Sequence, residues 1–198
     1  MVRRTRVGED RRHVLLRRPG AHQLALALAR ARTEEPAYDG IGGTLETAPA
    51  GYRRAEVQRH IGSGQVVFDR AVAALDGWAA QRYAGIVVAP PGVRPVEGET
   101  VVQVLRVGPL WAVAACRIVY RVQTPDRVGF AYGSLSEHPV RGEEAFLVER
   151  DPAGVVRARI VLFSRPRHWL VRLGGPVGRL VQRRTAEKYA DGIARAAR

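Results

Sequence analysis

Polar side chains that could hold a ligand or transfer a proton are concentrated in one part of the chain, residues 128–166. A carboxyl group beside a phenol can act as an acid or a base, because the two groups can share a proton. Hydroxyl and guanidinium groups nearby can orient a bound molecule. The polar residues of this segment that could have such a role are Tyr132, Ser134, His138, Glu143, Glu144 and Arg165.

The apolar pattern around these residues predicts consecutive antiparallel strands. Runs rich in valine, isoleucine and aromatic residues alternate with turn compositions such as QTPD and DPAG. The predicted strands are residues 83–89, 99–107, 110–122, 127–135, 142–150 and 155–163.

The turn Asp151-Pro152-Ala153-Gly154 predicts how the last two strands pair. Pro152, Ala153 and Gly154 suit a type I turn that ends in a left-handed glycine, so Asp151 lies opposite Val155. Counting outward predicts the pairs Glu149–Arg157, Val148–Ala158, Phe146–Ile160 and Glu144–Leu162.

In this register Glu144 shares the core face with Phe146, and Glu143 points to solvent. The pair Glu149–Arg157 is expected to form an ion pair on the outer face. Tyr132 and Ser134, on the bulkier face of the preceding strand, then lie close to Glu144.

A carboxylate that faces a core is unfavourable unless it is paired, hydrogen-bonded or protonated. We therefore interpret Tyr132, Ser134 and Glu144 as the polar end of an apolar pocket. The alternative is that Glu144 is hydrated at its strand end and that Tyr132 is a core residue with its hydroxyl at the rim.

Further residues complete this candidate site. Arg165 could neutralise Glu144 or cap carbonyl groups, whereas Arg117 could reach Glu144 only if its strand faced the other way. His138 is interpreted as a surface turn residue. The predicted ligand-binding set is Phe130, Tyr132, Ser134, Glu144, Phe146, Arg165 and Trp169, with Glu144 and Tyr132 as the only catalytic candidates. On the neighbouring strand Ala112, Ala114 and Cys116, if inward, are small enough to leave space.

Helices are predicted on both sides of the strands. Residues 22–32 and an amphipathic segment through Val67 and Trp78 are helical, and a strand at 51–61 lies between them. After the last strand, Ser164 is expected to cap a helix with Pro166 in its first turn. Gly174 and Gly175 interrupt that helix before a longer one, whose inner stripe is predicted as Val177, Val181, Thr185, Tyr189 and Ile193.

This order of elements matches an α+β helix-grip (START/Bet v 1-like) arrangement. About seven antiparallel strands form a curved sheet around a long C-terminal helix, and a cavity remains between them. The alternative is an α+β sandwich with a fully packed core.

The charge of +13 is concentrated at the chain ends. Residues 1–18 hold seven arginines against two acidic residues, and residues 165–198 hold nine basic against two acidic residues. We expect residues 1–20 to form a basic arm and 21–198 a single domain. Binding of nucleic acid or an anionic surface through these ends is kept as an alternative function, although no nucleic-acid motif accompanies the charge.

Motifs for most cofactor-dependent and hydrolytic reactions are absent from the sequence. It contains no GxSxG, HExxH or lysine-bearing phosphate loop, and GIGGT is not framed by a strand and a helix. With one cysteine, we expect neither a disulfide nor a thiolate metal site, and no cofactor. Short apolar runs and the absence of a signal-peptide pattern predict a soluble, cytoplasmic protein.

Several blocks of the sequence, in the right order, resemble uncharacterised protein family 0548, a domain of unknown function. The resemblance covers about residues 24–198, with serine at position 134 where the family pattern has threonine. It implies no catalytic roles. The matching blocks are Tyr38 with IGGT at 41–44, GYR at 51–53, IGSGQVVFDRAVAALDGW at 61–78, CRIVY at 116–120, GFAYGSLSEHP at 129–139, GEEAFLVER at 142–150, FSRP at 163–166, VQ at 181–182 and KYADGI at 188–193.

The sequence therefore favours binding of a small, largely apolar molecule between the sheet and the C-terminal helix. The alternative for the same pocket is a cofactor-independent enzyme of the cyclase, hydratase or isomerase type.

Overall fold

The computed structural model describes residues 14–136, 138, 140–166 and 175–198. These residues form eight strands and four helices. In chain order they are β1 (Val14–Leu15), α1 (Ala21–Ala31), β2 (Arg53–Ser63), α2 (Gln65–Asp76), α3 (Ala79–Tyr83), β3 (Val87–Ala89), β4 (Thr100–Val107), β5 (Leu110–Thr124), β6 (Arg127–Ser134), β7 (Val140–Arg150), β8 (Val155–Pro166) and α4 (Gly175–Ala196).

Seven strands form one antiparallel sheet in the order β2-β8-β7-β6-β5-β4-β3. The predicted helix-grip arrangement is confirmed, because α4 lies along this sheet and contacts β2 and β8. The first strand predicted after α2 is shorter than expected: Tyr83 ends α3, and the strand predicted from residue 83 begins at Val87. Strand β5 extends beyond its partner β6, and β1 pairs with this additional part of β5 at Trp111 and Ala112.

The hairpin between β7 and β8 has the predicted register. The Asp151 N–H donates to the Val155 carbonyl oxygen, and Gly154 adopts a φ of +82°. All four predicted pairs, from Glu149–Arg157 to Glu144–Leu162, are present as backbone pairs.

The prediction of an ion pair between Glu149 and Arg157 within this hairpin is wrong. Arg157 binds Asp151 instead, at 2.7 Å, because its guanidinium group reaches back toward the turn. Glu149 binds Arg127, its neighbour on β6, at 3.1 Å and Arg159 at 3.4 Å.

The concave face of the sheet carries the main apolar core. Phe130, Phe146 and Ile160 of the sheet pack with Phe68 of α2 and Ile193 of α4. Burial of these large side chains is the main source of stabilisation for such a layer.

The inner stripe of α4 is buried only toward its C-terminal end. Tyr189 and Ile193 are buried, whereas Val181 is 58% exposed, and the side chain of Val177 lies outside the described residues. The N-terminal half of α4 therefore leaves space above the sheet.

The helix start predicted at Ser164 is wrong. Strand β8 continues to Pro166, because Ser164 pairs with Arg53 on one side and Gly142 on the other. Strands β2 and β7 thus both pair with β8 at this position and keep it in the sheet. The remainder of that predicted helix, residues 167–173, lies outside the described residues.

Glu143 is buried, contrary to the prediction that it points to solvent. Its side chain does face the convex side, but the loop at residues 38–44 covers it, and it is 2% exposed. Its carboxylate accepts hydrogen bonds from Tyr38 Oη at 2.8 Å, Gly42 N at 2.7 Å, Thr44 N at 3.1 Å and Thr44 Oγ1. Burial and the neighbouring Glu143 raise the pKa of Tyr38, so its phenol remains a donor.

Replacing Glu143 with alanine is expected to destabilise the fold by about 3 kcal/mol, because several buried donors lose their acceptor at once. Urea unfolding monitored by circular dichroism measures the difference in free energy of unfolding between this variant and wild type. The control is Glu46→Ala in the exposed part of the same loop region, which is expected to have little effect. Equal stability of the two variants would contradict the anchoring role of Glu143.

Candidate functional site

A cavity of about 280 Å³ lies between the concave face of the sheet and the N-terminal half of α4. Its wall combines aliphatic side chains with a smaller number of polar ones, the usual composition of a small-ligand site. The residues around the cavity, of which Glu143 and Phe163 direct their side chains to the convex face, are Ile86, Gln103, Leu105, Ala112, Ala114, Cys116, Tyr132, Ser134, His138, Val140, Gly142, Glu143, Glu144, Leu162, Phe163, Ser164, Val181, Gln182, Thr185 and Tyr189.

Small side chains on β5 help to create this space. Ala112, Ala114 and Cys116 line the cavity, so β5 faces the way that leaves room. Arg117 consequently lies on the convex side, where it donates to Thr100 Oγ1 at 3.2 Å and to the carbonyl oxygens at the end of α1. It does not neutralise Glu144.

Glu144 and Tyr132 are directly opposite each other on β7 and β6. The Tyr132 hydroxyl donates to Glu144 Oε2 at 2.5 Å. Tyr132 is buried, and the partly exposed side chain of Glu144 lines the cavity. This pair is the polar end of the cavity.

The surroundings of Glu144 change its acidity. Burial raises the pKa of Glu144 from 4.5 to about 7, while the hydrogen bond from Tyr132 opposes that rise. Burial, together with Glu144, raises the pKa of Tyr132 and of Tyr189 well above 10. Near neutral pH the carboxyl group can therefore either hold or release a proton, while both phenols stay protonated.

Ser134 and Gln182 fix the end of the cavity nearest to the β6–β7 connection. The Gly142 N–H donates to Ser134 Oγ at 2.9 Å, which makes part of the Ser134 role structural. Gln182 of α4 donates from Nε2 to Ser164 Oγ at 2.8 Å, which ties the helix to β8 beside the cavity.

Other predicted residues lie away from the cavity surface. Phe130 and Phe146 stack beneath it with ring centroids 5.3 Å apart, so they support the wall without lining it. Arg165 lies on the convex side, 4.6 Å above the ring of Tyr52 and 3.5 Å from Asp39. Trp169 falls outside the described residues.

His138 lies at the cavity, although it was interpreted as a surface turn residue. Its ring folds back on the main chain of Val140, with Nδ1 2.7 Å from the carbonyl oxygen. Sequence reasoning also missed Gln103, since a glutamine between Val101 and Leu105 was not read as an inward residue.

Within the ranges that the structure describes, no cluster of three or more histidine, cysteine, aspartate or glutamate side chains could hold a metal ion. No helix in the same ranges is both long and apolar enough to cross a membrane.

The acidity of Glu144 predicts a pH-dependent stability. The unfolded chain releases this proton at about pH 4.5 and the folded chain at about pH 7. Stability should therefore fall as the pH rises through this window, by up to about 3 kcal/mol, and stay low above it.

Glu144→Gln removes this titration, so its stability relative to wild type should improve between pH 4.5 and pH 8. Chemical unfolding across this range measures the difference. The exposed control Glu97→Gln should follow the wild-type curve. A constant difference between wild type and Glu144→Gln would rule out the raised pKa.

Sequence comparisons place the chain among proteins of unknown activity. Residues 37–192 match the domain of unknown function DUF1990. A UPF0548 protein of Deinococcus radiodurans is 37% identical, over 92% of this chain and 98% of that protein. A UPF0548 protein of Dictyostelium discoideum is 28% identical, over 84% and 87% respectively.

Solved structures share the fold. A hypothetical protein of Helicobacter pylori superposes with a TM-score of 0.52 at 12% identity, over 84% of this chain and 99% of that one. Ara h 8.0201 superposes with a TM-score of 0.51 at 6% identity, over 74% and 98%. At such identities the likeness concerns the Bet v 1-like helix-grip fold alone. The DUF1990 match over residues 37–192 and the 37% identity to the Deinococcus radiodurans protein establish that the chain belongs to the UPF0548 family and carries the domain of unknown function DUF1990.

Proposed function

We propose that the protein binds a small, largely apolar molecule in the cavity between the sheet and α4. The observation that carries this proposal is the cavity itself, about 280 Å³ of space lined by aliphatic side chains and by a smaller polar part that includes the hydrogen-bonded Glu144–Tyr132 pair. Ligand sites usually measure about 300–1,000 Å³, so the expected ligand is at the small end of that range.

The two parts of the cavity would hold different parts of the ligand. Leu105, Ala114 and Leu162 offer an apolar surface. Glu144 and Tyr132 offer hydrogen bonds, which would orient a polar group of the ligand. Leaving such a pair without any partner in an apolar site is costly, so a polar group or water should meet it.

Entry would take place near the N-terminal end of α4. Val181 lines the cavity and is largely exposed, so one side of the cavity reaches the surface there. The Gln182–Ser164 hydrogen bond would break if the helix moved outward. In the sequence Gly174 and Gly175 interrupt the helical pattern at this end; Gly175 begins α4, and Gly174 lies outside the described residues.

Filling the cavity should abolish binding. Ala114→Phe places a ring in the space that the ligand would occupy, whereas Ala153→Phe places the same ring on the exposed hairpin turn. Native mass spectrometry of freshly purified protein should detect a bound small molecule on wild type and Ala153→Phe, and none on Ala114→Phe.

Two outcomes would reject this function. One is wild-type protein that carries no ligand and also binds no apolar fluorescent probe. The other is equal binding by Ala114→Phe and wild type, since the ligand would then lie elsewhere.

Acid–base catalysis in the same cavity is the second candidate, and the Glu144–Tyr132 pair specifically favours it. A carboxyl group with a pKa near neutrality can both take and return a proton, and the tyrosine can donate to a developing oxyanion. This chemistry suits a cyclisation, hydration or isomerisation without a cofactor.

Catalysis would be separated from binding with Glu144→Gln. The released ligand is incubated with each protein, and products are followed by chromatography coupled to mass spectrometry. If the site is catalytic, turnover should fall by about 100-fold or more while binding persists. Turnover that is unchanged in Glu144→Gln would exclude Glu144 as the acid or base.

A further inference from the structure

Gln103 places a second polar group on the cavity wall, on a different strand from Glu144. It lies on β4 opposite Ala114, and both side chains line the cavity. Gln103 is only 4% exposed.

The amide nitrogen of Gln103 is buried and has no hydrogen-bond partner among the described residues. A buried N–H without an acceptor is unfavourable, and native proteins rarely keep one without a reason. Almost none of this nitrogen is accessible, so an acceptor atom on a bound ligand would satisfy it after the amide turns toward the cavity.

The charge of the cavity wall restricts the ligand further. The described lining residues include no arginine or lysine, although the whole chain has 32 of them. They do include Glu144. An anionic ligand would therefore be buried beside a carboxyl group without a described arginine or lysine to compensate it, which is costly.

The separation of the two polar positions indicates an elongated ligand. Strands β4 and β7 are three places apart in the sheet, which corresponds to about 14 Å along its surface. The two positions are also offset along the strands, because Gln103 is opposite Ala114 on β5 and Tyr132 is opposite Ile118, four residues or about 13 Å further on.

On the basis of the ligand-binding function proposed above, we propose that the cavity recognises an elongated, uncharged or cationic molecule by its two ends. An acceptor at one end receives the Gln103 amide N–H, and a donor at the other end binds the Glu144–Tyr132 pair. Between them the molecule is apolar, and carboxylate-bearing molecules are rejected.

The test is displacement of a neutral fluorescent probe, phenylnaphthylamine, by ten-carbon chains with different ends. The chains are decanol, decylamine, decanoate and a decane chain that carries a ketone at one end and a hydroxyl group at the other. At pH 8 the hydroxy-ketone should bind most tightly, and decanoate should bind at least about 10-fold more weakly than decanol.

Gln103→Met keeps the length of the side chain and removes the amide. It should weaken binding of the hydroxy-ketone by about 5- to 10-fold and leave binding of decylamine unchanged, because an ammonium group has no acceptor for the amide N–H. Removing an unpaired buried amide should also raise the Tm of the ligand-free protein. The matched control is Gln123→Met on the exposed end of β5.

The outcomes separate the two proposals. If no chain displaces the probe from wild type, the ligand-binding function and the two-ended recognition both fail. The two-ended recognition alone fails if the chains bind but decanoate binds as tightly as decanol. It also fails alone if Gln103→Met binds the hydroxy-ketone as tightly as wild type does. If Gln103→Met does not fold, the relative affinities of the ten-carbon chains for the wild-type protein decide whether the two-ended recognition is correct.

Discussion

The carboxylate of Glu143 holds the loop at residues 38–44 against the convex face of the sheet, and both faces depend on this contact. With Glu143 satisfied by Tyr38, Gly42 and Thr44, the next residue along β7 points to the opposite side. Glu144 therefore enters the cavity because Glu143 is anchored outside it. Gly133 on the adjacent strand leaves room for the Tyr38 ring, which a Cβ atom there would overlap.

The two glutamates illustrate different ways of placing a carboxyl group inside a protein. Glu143 is surrounded by donors from one loop, which satisfy both of its oxygen atoms. Among the described residues Tyr132 donates to Glu144, and burial of this carboxyl group raises its pKa. Adjacent residues of one strand thus serve a structural and a candidate functional role.

Much of the fold could be predicted from local sequence patterns. The register of β7 and β8 follows from the turn at Asp151–Gly154, because a tight hairpin leaves few ways to pair its strands. The inward direction of Glu144 then follows from the two-residue period of a strand.

What could not be predicted depends on contacts between distant parts of the chain. The burial of Glu143 arises from a loop about 100 residues earlier in the sequence. The extension of β8 through Ser164 depends on β2, which lies more than 100 residues away. Gln103 was missed because a polar residue on a strand is expected to face water, and only the assembled sheet puts it in the cavity.

Helix α1 has a consequence for the choice of protein fragments. The family match begins at residue 37, after this helix, yet α1 covers Val102, Val113 and Ala115 on the back of the sheet. Its last carbonyl groups also accept from Arg117, the residue next to Cys116 in the cavity wall. A truncated protein that starts at the family boundary would uncover this apolar strip, and such a surface favours self-association in solution.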